Sequence, residues 1–119
     1  MPFDPASLKY DANGLIPCIT QDAATGDVLM FAWMNADAVN QTLTTQRVTY
    51  WSRSRNALWI KGETSGHSQT LQDLRIDCDR DCLLALVTQT GPACQTNRQS
   101  CFYTAIRNGE QVEVLAPMI

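Results

Sequence analysis

Helical spacing occurs once in this chain, from Asn35 to about Thr45, while the other apolar stretches are short β-branched and aromatic runs closed by turn-forming residues. That distribution restricts the fold to a sheet of neighbouring strands with one helix to cover it. Leu15 to Gln21 and Val28 to Met34 read as strands joined by a turn, Asp22 to Asp27, that contains Gly26. Asn35 is placed to cap the helix, with Ala36, Val39 and Leu43 at helical spacing and Ala38 beside them. Arg47 to Arg53 (RVTYWSR) and Ala57 to Lys61 (ALWIK) read as a second hairpin turning at Ser54-Arg55-Asn56. Gly62 to Ser68 is loop by composition, Thr70 to Ile76 alternates, and Leu83 to Gln89 is a nearly continuous apolar strand. After a loop from Gly91 to Gln99, Cys101 to Ile106 returns as strand. About seven strands and one clear helix predict a small single-domain α+β fold, mostly antiparallel β-sheet.

A length of 119 residues fits one domain, 1–119, with residues 1–12 a loose lead-in because Pro2 and Pro5 oppose regular structure. The longest uncharged apolar run, Val28 to Met34, is too short to span a bilayer, so no membrane partner is expected. The first residues carry neither a basic start nor an apolar core of signal length, which makes the cytoplasm the expected location. A net charge of -3 opposes binding to nucleic acid through overall charge. The distribution is uneven, with Arg47, Arg53, Arg55 and Lys61 in a stretch free of acids, and Asp73, Asp77, Asp79 and Asp81 following. A local anion site and a local cation site are compatible with that pattern.

Asp77, Asp79 and Asp81 alternate, and alternate side chains of an extended segment share a face. Three hard oxygen donors suit Mg²⁺ or Ca²⁺, although acidic triplets are also ordinary solvated turns. An EF-hand loop would need glycine at Cys82 and glutamate at Thr88, and has neither. Five cysteines cannot all pair, so reduced thiols or metal ligands are expected. Soft thiolates at Cys78, Cys94 and Cys101 select zinc, but their spacing matches no ordinary zinc finger, and buried cysteines are common as small hydrophobes. Adding Cys82 would close a structural four-cysteine site, whereas three thiolates leave a position open for chemistry. Cys18, inside an apolar strand, reads as core.

His67 is the only histidine and sits in the loop GETSGH, where an imidazole can serve as acid, base or simply a solvated side chain. Arg53, Arg55 and Lys61, with Ser52, Ser54, Thr64 and Ser65, offer phosphate contacts. Tyr50, Trp51 and Trp59 can stack on a base or fill the core.

Taken in order, YWSRSR (Tyr50 to Arg55), KGETSGH (Lys61 to His67), DCDRD (Asp77 to Asp81) and GPACQTNRQSCFY (Gly91 to Tyr103) closely resemble phosphoribosyl-AMP cyclohydrolase of histidine biosynthesis. The likeness runs from about Gly14 to Thr104 and includes the early IPCITQD and VLMFAWMN stretches. It implies a homodimeric Zn²⁺ and Mg²⁺ enzyme that hydrolyses the adenine ring of phosphoribosyl-AMP, water adding at carbon 6 and the bond to nitrogen 1 breaking. It implies zinc at Cys78, Cys94 and Cys101, one ion per subunit, with Cys78 from one protomer and the other two from its partner, so that the metal site lies at the dimer interface. It implies magnesium at Asp77, Asp79 and Asp81, and leaves Cys82 without a ligand role. For that reaction His67 is the candidate to shuttle a proton or anchor the purine, and Mg²⁺ with Arg53, Arg55, Thr64 and Ser65 is expected to hold phosphate or ribose oxygens, with Trp51 and Ser52 also expected to bind the nucleotide.

The chain has no room for the pyrophosphohydrolase domain that some members carry, so one activity is expected. Where the family commonly has histidine after the second zinc cysteine, this chain has Gln95, whose amide is no base near neutral pH. The competing readings are a non-catalytic zinc-stapled binding module and a related cyclohydrolase acting on another purine-like substrate.

Overall fold

Ile16, Cys18 and Thr20 are fully buried while Pro17 and Ile19 between them are only half-buried, so β1 (Ile16–Asp22) has one face in a core and one turned away. This computed structural model describes residues 1–119. The remaining elements are β2 (Val28–Met34), α1 (Ala36–Thr45), β3 (Thr49–Ser52), β4 (Ala57–Ile60), β5 (Gln69–Ile76), β6 (Leu83–Gln89), β7 (Thr104–Arg107) and β8 (Glu110–Glu113). The first six strands form one sheet in the order β4-β3-β2-β1-β6-β5, and β7-β8 form a separate two-stranded ribbon. Every pairing is antiparallel except β1 with β6. The expected α+β fold with a mostly antiparallel sheet is therefore what the chain adopts.

Register explains the core. Cys18 pairs with Leu83 and Thr20 with Ala85, so buried positions of β1 and β6 fall on one face, where Met34, Tyr50 and Val87 join them. Helix α1 closes that face with Ala38, Val39 and Thr42. Its start is fixed by Asn35, whose Oδ1 accepts from the Ala38 N–H at 2.8 Å, a cap that contributes about 1 kcal/mol. Thr42 then ties α1 to β3, accepting from the Thr49 N–H at 2.9 Å and donating to its carbonyl at 3.2 Å.

The opposite face of the sheet is apolar and uncovered. Register aligns Leu58, Trp51, Trp33 and Pro17 across four strands, and Phe31, Ile19 and Leu84 beside them. Phe31 is 48% exposed and Leu58 37%, an unusual face for a monomer to leave in water.

Three local expectations differ from the structure. Residues 1–12 are tied down: Pro5–Ser7 form a short 3-10 turn capped by Asp4, Leu8 is buried, and the Lys9 N–H donates to the Arg80 carbonyl at 2.8 Å. Cys101 to Tyr103 do not continue a strand, because the Cys101 N–H donates to the Leu29 carbonyl at 2.7 Å and Ser100 Oγ to that of Val28 at 2.7 Å. The strand begins at Thr104 and returns as β8 through Asn108 and Gly109, both at positive φ, a pair suited to a tight hairpin turn. The segment Asp77 to Asp81 is a turn rather than an extended run, with Arg80 at φ 63°.

Candidate metal centre and nucleotide site

The turn between β5 and β6 gathers its carboxylates by curvature, not by strand alternation. Ligand oxygens of Asp77, Asp79 and Asp81 all lie within 4.8 Å of one another, close to the span of ligands around one hard cation. Asp77 Oδ1 accepts from the N–H groups of Asp81 at 3.0 Å and Cys82 at 3.1 Å, so this residue builds the turn as well as facing its neighbours. Against desolvation, those N–H donors and a hydrogen bond with Asp81 hold Asp77 below the ordinary carboxylate value. The same side-chain bond, with desolvation and repulsion from Asp77 and Asp79, raises Asp81. Arg80 braces the turn from outside, donating to Ser7 Oγ at 2.6 Å and to the Ser7 carbonyl at 3.2 Å.

This division of labour gives a direct test. Asp77→Asn should lower the melting temperature of the metal-free protein more than Asp79→Asn, because the charged acceptor of two backbone donors is lost only in the first. Equal melting temperatures would remove Asp77 from the turn's framework.

The thiols separate into distinct places. Cys18 is core as expected, and burial, offset in part by Thr20, pushes its thiol up to about 12. Cys94 and Cys101 line one cavity of about 440 Å³ together with Trp59, Lys61, Gln95 and Thr96. Against burial, the hydrogen bond that Thr96 Oγ1 donates at 3.1 Å leads the effects that pull the Cys94 thiol down, and neighbouring Cys101 adds to it. Burial, then the Cys94 thiol, pushes Cys101 up to about 11. Cys78 is exposed on the aspartate turn and joins no three-ligand group with the other two. Strand β6, about 20 Å long at 3.3 Å per residue, separates that turn from the Cys94 loop. Cys82 shares the turn's end of β6, so Cys78, Cys82, Cys94 and Cys101 do not close a four-cysteine site within one chain.

Lys61 departs from its expected place among solvent-facing phosphate contacts. It is 8% exposed, donates from Nζ to the Ala93 carbonyl at 2.6 Å, and lies 5.2 Å from the Trp59 ring centroid. Burial lowers its pKa, while the thiols of Cys101 and Cys94 pull the other way, which places the ammonium beside that thiol pair.

His67 lies in a second cavity, of about 270 Å³, lined also by Ser65, Cys94 and Gln95 and continuous in its residues with the thiol cavity through Lys61 and Ala93. Ser65 Oγ accepts from the His67 N–H at 3.1 Å. The imidazole rests on Gly91, where an added Cβ would come within 2.8 Å of His67 Cδ2 and φ is 69°. Glycine there gives the ring its seat. Sequence reading assigned Gly91 no role of its own, and the glycine-proline pair after β6 was the available signal.

The other nucleotide-binding candidates do not reach these cavities. Trp51 and Arg53 line a separate groove of about 390 Å³ with Asn13, Asn35 and Asn56, and the Arg53 guanidinium stacks 5.0 Å from the Trp33 centroid. Ser52, half-buried at the end of β3, accepts at Oγ from the N–H of Arg55 at 3.3 Å, and Arg55 in the β3–β4 turn and Thr64 in the next loop are exposed. Tyr50 is core, and burial holds its phenol well above the ordinary value, so it remains a donor.

Residues 30–103 match the family model described as phosphoribosyl-AMP cyclohydrolase. A curated protein of that name from Ruegeria pomeroyi is 71% identical over 119 residues, covering all of both chains, and one from Dinoroseobacter shibae shows the same identity and coverage. A third, from Paracoccus denitrificans, is 71% identical over 115 residues, 97% of this chain and 95% of its own.

Proposed function

The chain belongs to the phosphoribosyl-AMP cyclohydrolase family, hydrolases of histidine biosynthesis, and on that premise we propose that it opens the adenine ring of phosphoribosyl-AMP. Water adds at carbon 6, the bond to nitrogen 1 breaks, and the product is the phosphoribosyl-formimino aminoimidazole carboxamide ribotide. The observation that carries the reading is the convergence of His67, Ser65, Lys61, Gln95 and the Cys94–Cys101 pair around adjoining cavities inside the matched region.

The donor sets suit two different metals. Soft thiols of Cys94 and Cys101, side by side with an ammonium that favours their ionised forms, suit zinc, with Cys78 of a second copy as the third ligand. Clustered carboxylates of Asp77, Asp79 and Asp81 suit magnesium. When bound, zinc supplies a Lewis acid that makes water a competent nucleophile near neutral pH. His67 delivers a proton to nitrogen 1 as the ring opens, since the departing nitrogen cannot leave as an anion. Gln95 holds the purine by amide hydrogen bonds and takes no part in proton transfer. Arg53, Arg55, Ser52, Thr64 and Ser65 hold phosphate and ribose oxygens, and Trp51 packs on the nucleotide.

A homodimer is part of this proposal. Within one chain the aspartate turn, the Arg53 groove and the His67–Cys94 cavities stand apart, and packing two uncovered apolar sheet faces together offers a way to bring them into one site. Cytoplasmic location is proposed as well; the structure has no helix long and apolar enough to cross a membrane.

The test is ring opening of phosphoribosyl-AMP followed with and without chelator, alongside His67→Ala. Turnover is expected to vanish with chelator and return with metal, and His67→Ala to cut turnover by about 10²-fold or more with little change in melting. Absence of ring opening by metal-replete protein would overturn the substrate, and full turnover of His67→Ala would remove the imidazole from the chemistry.

A further inference from the structure

A chain of side-chain hydrogen bonds, buried at its start and half-buried at Gln89, runs from the middle of the sheet to the two loops that frame the His67 cavity. Thr20 Oγ1 lies 2.7 Å from the Tyr50 hydroxyl, which donates to Gln69 Oε1 at 2.6 Å. Gln69 Nε2 donates to Gln89 Oε1 at 2.9 Å. Gln89 Nε2 faces the carbonyls of Thr90 at 3.2 Å, His67 at 3.3 Å and, more weakly, Pro92 at 3.5 Å. Backbone carbonyls can only accept, so Gln89 must turn its amide nitrogen toward them and its oxygen toward Gln69. That in turn fixes the Gln69 amide with its oxygen on the Tyr50 hydroxyl. Along this chain the donors point from the core to the loops, with a side branch from Gln69 Nε2 to Met30 Sδ at 3.3 Å.

The carbonyls at the far end belong to two separate segments, His67 on the loop after β4 and Pro92 on the loop that leads to Cys94 and Gln95. Only one main-chain bond, from the Thr90 N–H to the Ser68 carbonyl at 3.0 Å, otherwise joins them here. Lys61 takes the next carbonyl, that of Ala93, while the Ala93 and Cys94 N–H groups bond within their own loop to the carbonyls of Gln99 and Arg98. Gln69 is fully buried, and an amide in that position needs all its partners to be tolerated.

We propose that Gln89, oriented by Gln69, is a positioning residue that clamps the His67 loop to the Cys94–Gln95 loop. The assignment rests on the proposed reaction for its kinetic consequence, but not for the clamp itself. Losing the clamp lets the imidazole and Gln95 drift relative to each other, and a misplacement of about 1 Å costs up to about 10²-fold in rate.

Gln89→Met keeps the length and removes both hydrogen-bonding ends. Expected are a turnover between about tenfold and about a hundredfold lower, a Michaelis constant altered far less, and amide exchange faster in residues 62–68 and 90–95 while β1 and β6 stay protected. Gln69→Met, which frees the Gln89 amide to rotate, should do the same in weaker form and serves if the first variant does not fold. Thr42→Val removes a comparable buried polar tie between α1 and β3, remote from both loops, and should lower melting without either effect. Wild-type turnover and loop exchange in Gln89→Met, or the same turnover loss in Thr42→Val, would overturn the clamp. If the wild-type protein itself fails to open phosphoribosyl-AMP, the functional reading falls, and loop exchange still decides the clamp.

Discussion

Cys94→Ser is expected to strip the protein of zinc and reduce ring opening to background, whereas Cys82→Ser keeps its metal, its melting temperature and most of its activity. The asymmetry follows from where the two thiols stand. Cys94 faces a cavity beside Cys101 and the Lys61 ammonium, with Thr96 donating to its sulfur. Cys82 closes the aspartate turn at the other end of β6, where its sulfur donates to the Leu83 carbonyl at 3.7 Å and faces a separate pocket with Ile19 and Ile76. Losing a group hydrogen-bonded to a ligand costs about 10- to 100-fold in affinity or activity, so losing the ligand itself costs more. Metal content and turnover measured on both variants decide the matter. Equal zinc loss would mean that Cys82 is a ligand in a closed, structural site, and the catalytic reading would lose its open coordination position.

Those positions were legible from sequence to different degrees. Strands β2 and β6 begin and end where Val28 to Met34 and Leu83 to Gln89 were expected, because each apolar run stops abruptly at turn-forming residues. Helix α1 was legible for the same kind of reason, an asparagine cap before a spaced apolar stripe. Strand β8 escaped because Glu110–Glu113 is polar and wholly exposed, though the Asn108-Gly109 turn marked its place.

Charge misled at Lys61. A lysine following two arginines reads as part of a phosphate-binding run, yet its stem packs by Trp59 and its ammonium turns inward. Gln69 and Gln89 carried no signal at all, since a strand amide looks the same in sequence whether it faces water or a buried carbonyl. The candidate ligands were found as residue types, and motif order grouped them. Their distribution over opposite ends of β6 was implicit in a strand running from Leu83 to Gln89 between them, and coordinates were needed for what gathers at each end, such as Lys61 and His67 beside Cys94.

That distribution leads to the last expectation, a recovery of activity from two inactive proteins. Cys78→Ser and Cys101→Ser homodimers should each be inactive, since each lacks a zinc ligand in every site. If a site takes Cys78 from one protomer and Cys94 with Cys101 from the other, random pairing on co-refolding gives about half the dimers mixed. Each mixed dimer then holds one doubly damaged site and one intact site, so activity should return to about a quarter of the wild-type value. Metal analysis should rise in step, from the parent level toward one intact site in each mixed dimer. The geometry favours this result, because the turn that carries Cys78 and the loop that carries Cys94 stand at opposite ends of β6 within a chain and form no common ligand group, and the uncovered sheet face offers a surface on which a second copy can pack. Should a single chain instead supply all three thiols after rearrangement, every site in the mixture retains one lesion. No activity would then return despite confirmed subunit exchange, and the shared site would be refuted while the ring-opening chemistry stood.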